Sequence, residues 1–270
     1  MSDPLLSIRA VHCSYQGSRG VVHALRGVSL DLAPGETLAL VGESGCGKTT
    51  LARCILGLQR PDSGQILLNG RDLVPLTRRQ RREISAQVQC VFQDPFSSLN
   101  PRKRVSALIR EPMDVQNTGT PRERDARVRE LMEQVGLRPD WAARFPHEFS
   151  GGQRQRIGIA RALALNPRVI VCDEPVSALD VSVQAQIINL LHALQRDLGL
   201  SYLFITHDLT LVENFADRVA LMYLGEIVES GPAREVWRNP QHEFTRTLID
   251  AIPIPDPDVP MGSGRKAFAG

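Results

Sequence analysis

The stretch GESGCGKT, residues 42–49, combines glycines, one lysine and one threonine at a spacing that suits phosphate binding. It matches the P-loop pattern and lies between a predicted strand, residues 37–42, and a predicted helix that stops at Pro61. Glycines let the backbone turn tightly, so that its N–H groups can converge on phosphate. We expect Lys48 to reach the β- and γ-phosphates of a nucleotide and Thr49 to bind Mg²⁺. The nucleotide contacts predicted from this loop are Gly42, Glu43, Ser44, Gly45, Cys46, Gly47, Lys48, Thr49 and Thr50.

Two carboxylates follow a later apolar run, in RVIVCDEP at residues 168–175. Asp173 can hold Mg²⁺ directly or through water, and Glu174 is placed to polarise an attacking water. An Asp-Glu pair after a strand is by itself most often a charged surface loop. Behind a P-loop, the same pair indicates a nucleotide-hydrolysing site.

His207 and Gln93 also follow predicted strands, in FITHDL and QCVFQDP. The carboxyl ends of strands in an open parallel sheet face the ligand crevice. A single histidine or glutamine at such a position is more often structural, so the residue types alone leave both interpretations open.

Composition limits the class of protein. The chain has 270 residues, 42% of them hydrophobic, and can bury a core as one large domain or as one domain with a subdomain. Its formal net charge of +2 gives no argument for a nucleic-acid partner, and the basic run RRQRR is interpreted as a solvated helical face.

Scattered cysteines indicate reduced thiols rather than disulfides or a zinc site. Without a signal pattern or an apolar run of ~20 residues, we expect a soluble intracellular chain whose membrane role would run through a partner.

The hydrophobic pattern predicts an α/β core. Short strands are expected at QILLNG, QVQCVFQ, RVIVCD, SYLFIT, VALMYL and EIVES. From about Arg102 the sequence becomes helical and charged, and a later amphipathic helix carries Ile187, Leu190, Leu191, Leu194 and Leu198 on one face. The proline-rich end PIPDPDVPMGSGRKAFAG is predicted to be a disordered tail.

The order of these motifs, together with SGGQ at residues 150–153 and SALD at residues 177–180, resembles the nucleotide-binding subunit of an ABC transporter from Tyr15 to about residue 252. The resemblance implies an α/β P-loop NTPase (RecA-like) fold with an antiparallel β subdomain and an α-helical subdomain insert. The implied organisation is an ATP-binding core at residues 1–94 and 158–230, a helical subdomain at 95–157, a C-terminal extension at 231–252 and a tail at 253–270.

The same resemblance implies a role for each matching residue. Tyr15 would stack on the adenine of ATP, and Gln93 would sense Mg²⁺ and water. Asp180 would lie at a dimer contact, and His207 would contact the γ-phosphate. The implied catalytic residues are Glu174, His207 and Gln93; the implied Mg²⁺ ligands are Thr49, Gln93 and Asp173.

A second glycine-rich loop in one domain is explained by the implied head-to-tail dimer. In this family two nucleotide-binding domains close over ATP, so SGGQ would bind the ATP held by the P-loop of the partner. Ser150 is a good N-cap, the glycine backbone admits close approach, and the following helix points its positive end at the anion. The residues assigned to the partner's ATP are Ser150, Gly151, Gly152 and Gln153.

Longer stretches such as QDPFSSLNPRKRV and PHEFSGGQRQRIGIARAL resemble the oligopeptide, dipeptide and nickel importer ATPases. That resemblance implies an integral-membrane permease, a second identical or paralogous ATP-binding subunit, an indirectly coupled solute-binding protein and a place at the cytoplasmic face of the plasma membrane. The helical insert around Gln93 to Arg110 would contact the permease. Nickel or another small solute, and an ATPase of a soluble assembly or metabolic complex, remain alternatives.

Overall fold

The computed structural model describes residues 3–17, 20–94 and 98–251. The predicted tail at residues 253–270 lies outside the described residues. The strands are β1 (Leu6–Gly17), β2 (Gly20–Leu32), β3 (Thr37–Val41), β4 (Ser63–Leu68), β5 (Arg71–Asp72), β6 (Val88–Val91), β7 (Val169–Asp173), β8 (Ser201–Thr206), β9 (Arg218–Tyr223) and β10 (Glu226–Pro232).

Helices connect these strands and fill a long insertion between β6 and β7. They are α1 (Lys48–Ile55), α2 (Arg78–Ser85), α3 (Val105–Gln116), α4 (Pro121–Gln134), α5 (Gly151–Leu163), α6 (Val181–Leu198), α7 (Leu209–Phe215), α8 (Ala233–Arg238) and α9 (Glu243–Asp250). Short 3₁₀ turns lie at Pro139–Ala143 and Pro146–Glu148. In the described part of the chain, no helix is long and apolar enough to cross a bilayer.

Two sheets form the framework. The larger has the order β10-β9-β3-β8-β7-β6, with β9, β3, β8, β7 and β6 parallel and β10 antiparallel at one edge. Residues 37–41 of β3 and 201–206 of β8 are buried throughout, as expected for strands covered on both faces. The smaller sheet is antiparallel, with the order β2-β1-β4-β5.

The hydrophobic pattern gives no strand prediction for residues 6–17 and 20–32, yet they form β1 and β2. Register shifts between Ile8 and Val11 and between Cys13 and Ser14 interrupt the pairing of these strands. Ala10 lies between the first pair with a φ of +45°. Such bulges break the strict alternation of apolar and polar residues, which is the sequence signal for a half-buried strand.

Helices α3, α4 and α5 pack together in the insertion, and their buried side chains belong to the same core cluster as residues of α6 and β7. Two of them begin with a reciprocal capping box: Thr120 with Glu123 for α4, and Ser150 with Gln153 for α5. Helix α5 runs without interruption through residue 157, where the boundary of the helical subdomain was predicted. It therefore joins the insertion directly to the core.

Candidate functional site

The predicted site residues follow four neighbouring strands of the larger sheet. The P-loop follows β3, Gln93 follows β6, Glu174 follows β7 and His207 follows β8. These strands are parallel and in register, with Val41 beside Thr206 and Asp173 beside Ile205. Their carboxyl ends consequently meet at one edge of the sheet, where ligands bind in open α/β folds.

A cavity of about 530 Å³ opens at this edge. It accommodates a ligand of nucleotide size. Its lining residues are Ala24, Ser44, Gly45, Gly47, Lys48, Thr49, Thr50, Gln93, Glu174 and His207. All but Ala24 were predicted from the sequence. Ala24 lies on β2, and nothing in its residue type signals a binding role.

The P-loop is held by close backbone packing. A Cβ at Gly42 would lie 2.2 Å from the carbonyl oxygen of Met222, so only glycine fits there. Gly47 has a φ of +116°, and a Cβ would lie 2.4 Å from the carbonyl oxygen of Ala24. From the turn after β9, the N–H of Gly225 donates to the carbonyl of Cys46 at 3.0 Å. Close packing, as well as the geometry of the turn, therefore requires glycine at Gly42 and Gly47.

The lysine of the loop is buried, with 5% of its surface exposed. Its Nζ donates to the carbonyl oxygens of Gly42 at 2.6 Å and Glu43 at 2.8 Å. Helix α1 begins at Lys48 behind Gly47, which provides no side-chain cap. The first N–H groups of α1 therefore remain available to an anion in the cavity, and the helix dipole favours negative charge there.

Thr49 and Asp173 form an oxygen-rich pair beside the lysine. Thr49 Oγ1 donates to Asp173 Oδ1 at 3.4 Å. Burial raises the pKa of Asp173, the charge of Glu174 adds to that rise, and the Thr49 hydrogen bond opposes it. A half-buried carboxylate beside a second carboxylate is stabilised by a cation, and Mg²⁺ prefers oxygen ligands. These residues fit a Mg²⁺ ion.

Two side chains lie close to the Glu174 carboxylate. Gln93 Nε2 donates to Glu174 Oε2 at 2.8 Å, and His207 Nδ1 lies 3.2 Å from Glu174 Oε1. The Glu174 backbone has a φ of +48°, a left-handed conformation that costs a residue with a Cβ about 1–2 kcal/mol. The structure thus brings together the three residues predicted to be catalytic.

The SGGQ loop lies away from this cavity, and none of its residues is among the lining side chains. It packs on α6 and the loop before it: a Cβ at Gly152 would lie 2.4 Å from Val183 Cγ1, and one at Gly151 would lie 3.3 Å from Leu179 Cδ2. Asp180 accepts hydrogen bonds from Ser182 Oγ at 2.7 Å and Val183 N at 2.9 Å, which lower its pKa.

Tyr15 and Cys46 lie beside the cavity. The Tyr15 hydroxyl is 3.4 Å from Thr50 Oγ1, and the side chain is half-buried against the core of the antiparallel sheet. Burial raises the pKa of the Cys46 thiol, although the charge of Lys48 opposes this. A buried, protonated thiol agrees with the interpretation of Cys46 as a small residue whose backbone matters.

Comparison with known proteins agrees with this geometry. Residues 25–177, more than half of the chain, match the family described as ABC transporter. The chain belongs to the ABC transporter family. An ATP-binding cassette, MJ0796, solved as a dimer bound to ADP and Pi, superposes with a TM-score of 0.77 at 29% identity over 85% of this chain and 99% of that one. The cbiO1 cassette of Clostridium perfringens gives 0.78 at 29% identity over 88% and 92% of the two chains. The predicted fold class is confirmed.

Curated relatives of this ABC chain have names from import systems. The glutathione import ATP-binding protein GsiA of Salmonella typhimurium is 51% identical over 262 residues, covering 94% of this chain and 42% of the relative. The chain therefore spans less than half the length of that protein. The oligopeptide transport ATP-binding protein OppF of Bacillus subtilis is 48% identical over 270 residues, covering 99% and 88%.

Proposed function

We propose that this chain is the ATP-hydrolysing motor subunit of an ABC importer for di- or oligopeptides. The observation that carries the proposal is the convergence of the P-loop and the Gln93–Glu174–His207 cluster on one cavity, with Asp173 hydrogen-bonded to Thr49 of its lining. The relatives at about half identity are named for import of oligopeptides or glutathione. Glutathione is itself a small modified peptide, so both names belong to one chemical class.

The lysine and the helix start would bind the triphosphate. On nucleotide binding, Lys48 Nζ exchanges the carbonyl oxygens of Gly42 and Glu43 for phosphate oxygens. Thr49, Asp173 and Gln93 would hold Mg²⁺, which neutralises phosphate charge when bound. Tyr15, beside Thr50, would stack on the adenine.

The glutamate would act as the general base. Glu174 accepts a proton from the attacking water, while Gln93 and His207 keep its carboxylate at the edge of the cavity. His207 is 58% exposed at its side chain, so it can turn toward a γ-phosphate without leaving a buried site. Proximity of base, water and phosphate supplies much of such catalysis.

The SGGQ loop would complete a second subunit's site. Its position outside this chain's cavity and the dimeric state of the similar MJ0796 cassette support this assignment. Ser150 caps α5 and is exposed, so the helix start presents N–H groups to an approaching phosphate. Asp180 would lie at the same dimer contact, and the second subunit would be an identical chain or a paralogue.

Gly151→Asp tests this arrangement. We expect ATP affinity of the isolated subunit to stay within about twofold of wild type, because the substitution is remote from its own cavity. Hydrolysis by the assembled complex should fall at least about tenfold, because a carboxylate would face the partner's triphosphate. Binding of a fluorescent ATP analogue and phosphate release measure the two effects.

Gly151→Ala is the matched control, since it adds the Cβ without the charge and should retain more activity than Gly151→Asp. A large loss of affinity in the isolated Gly151→Asp subunit would instead place SGGQ in its own chain's site.

An integral-membrane permease and, through it, a solute-binding protein would complete the importer at the cytoplasmic face of the membrane. The insertion around Gln93 to Arg110 would hold the permease contact, because it starts at the residue that touches Glu174. Movement of Gln93 during hydrolysis could then be relayed to the membrane subunit.

Uptake in a deletion strain tests the transport function. A strain lacking this chain should lose uptake of labelled di- or oligopeptides, and wild type but not Lys48→Ala should restore it. If the strain lost nickel uptake but kept normal peptide uptake, the transported solute would be the metal rather than a peptide. Intact uptake of both, with the chain recovered in a complex that lacks membrane subunits, would favour an assembly or metabolic ATPase.

A further inference from the structure

The backbone of Glu174 is held in an unusual conformation from both sides. Its φ of +48° places a non-glycine residue in the left-handed region, which is populated sparsely and persists where surrounding contacts fix it. Its N–H donates to the carbonyl of Ile205 at 3.0 Å, which ties it to β8. The carbonyl of Glu174 is held by a different residue.

Ser177 supplies that second tie. Its Oγ donates to the carbonyl oxygen of Glu174 at 3.1 Å, and its N–H reaches the same oxygen at 3.3 Å. Ser177 is exposed and does not line the nucleotide cavity. It therefore contacts the glutamate only through the backbone, from outside the site.

The loop that carries Ser177 is itself anchored. Gln184 Nε2, on α6, donates to the carbonyl oxygens of Val176 at 3.2 Å and Leu179 at 3.0 Å. Leu179 also lies against Gly151, at the start of α5. The serine is thus fixed on a braced loop rather than on a free surface turn, and it can hold its acceptor in place.

We infer that Ser177 is a positioning residue: its hydroxyl keeps the Glu174 backbone in the left-handed conformation that sets the carboxylate between Gln93 and His207. The inference rests on the proposed ATP hydrolysis. Without the hydroxyl, Glu174 has one fewer restraint against relaxing to a negative φ, and such a rotation withdraws the carboxylate from Gln93. Nucleotide binding, which depends on the P-loop, is unaffected.

Ser177→Ala in the complete complex should lower kcat for ATP at least about tenfold, because a shift of about 1 Å in a catalytic group can cost about 10²-fold. The KM for ATP and the affinity for an ATP analogue should stay within about twofold. Ser177→Thr keeps the hydroxyl and should restore most of the activity. In the Glu174→Gln background, Ser177→Ala should have no further effect, because the base is already absent.

Ser85→Ala is a matched control, since Ser85 is exposed and its Oγ donates to the carbonyl of Arg82, also three residues earlier, at 2.8 Å. Its kcat should equal that of wild type. A Ser177→Ala kcat within about twofold of wild type would overturn the inference, as would equal losses in Ser177→Ala and Ser177→Thr. A parallel fall in Tm and nucleotide affinity would assign Ser177 a general structural role instead. Absence of turnover in the wild-type complex would refute the proposed function and is distinct from these outcomes.

Discussion

Glu174→Gln is expected to bind ATP with Mg²⁺ at least as well as wild type and to hydrolyse it at least about a hundredfold more slowly, since general-base catalysis typically contributes about 10²–10⁴-fold. Glutamine keeps the shape and the hydrogen-bonding reach toward Gln93 and His207, but it cannot take a proton from water. Removing one negative charge beside Asp173 and the triphosphate also relieves repulsion.

The same variant should accumulate as an ATP-dependent dimer with its native partner or with itself, because in the proposed cycle the closed pair opens only after the γ-phosphate is cut. Size exclusion with ATP and Mg²⁺ measures this, and ADP should not support the dimer. Glu83→Gln, an exposed glutamate on α2 away from the cavity, is the control and should behave as wild type. Near-normal turnover by Glu174→Gln would move the base to His207 or Gln93, and a partial effect would reveal a degenerate site in the partner.

Lys48→Ala is expected to abolish ATP hydrolysis and to weaken nucleotide affinity at least about tenfold. Each hydrogen bond to a charged group contributes about 1.5–3 kcal/mol, and about 1.4 kcal/mol corresponds to a factor of ten. The lysine is buried at the cavity with its Nζ on two loop carbonyls, so its removal deletes the cation that is proposed to bind the phosphates. Titration with a fluorescent ATP analogue and phosphate-release kinetics measure the two losses.

Arg60→Ala provides the control for this prediction. Arg60 is an exposed cation shortly after α1 and outside the cavity lining, so its removal changes the net charge equally without touching the phosphate site. If Lys48→Ala turned over near the wild-type rate, the assignment of the P-loop would be wrong.

Sequence reasoning identified most residues that meet at the cavity because they stand in local sequence patterns. Short apolar runs predict β3, β7 and β8, and the polar residues directly after them meet at one edge as parallel topology requires. The sequence predicts that the P-loop needs its glycines. It does not predict why residue 42 must be glycine, because the carbonyl oxygen of Met222, which excludes a Cβ there, comes from a distant part of the chain.

Other features depend on tertiary context in the same way. Ala24 lines the cavity only because β2 passes over the P-loop. The left-handed backbone of Glu174 arises from contacts to Ile205 and Ser177, and glutamate carries no local signal for that conformation. Helices α8 and α9 are too short to be stable alone and depend on packing against the core. One such contact joins Phe244 of α9 to Tyr223 of β9, with ring centroids 4.4 Å apart.

The packing of the turn after β9 on the P-loop has a consequence for biosynthesis. The loop at residue 42 leaves the ribosome early, whereas the carbonyl of Met222 that packs on Gly42 and the N–H of Gly225 that binds Cys46 are translated much later. Strand β3 also lacks both of its neighbours until β8 and β9 have emerged. A nascent chain therefore holds an unfinished phosphate site through most of its synthesis, and closing such sequence-distant contacts is the slow part of folding. A translation product that ends before residue 222 therefore lacks the contacts that pack on Gly42 and Cys46 of the P-loop.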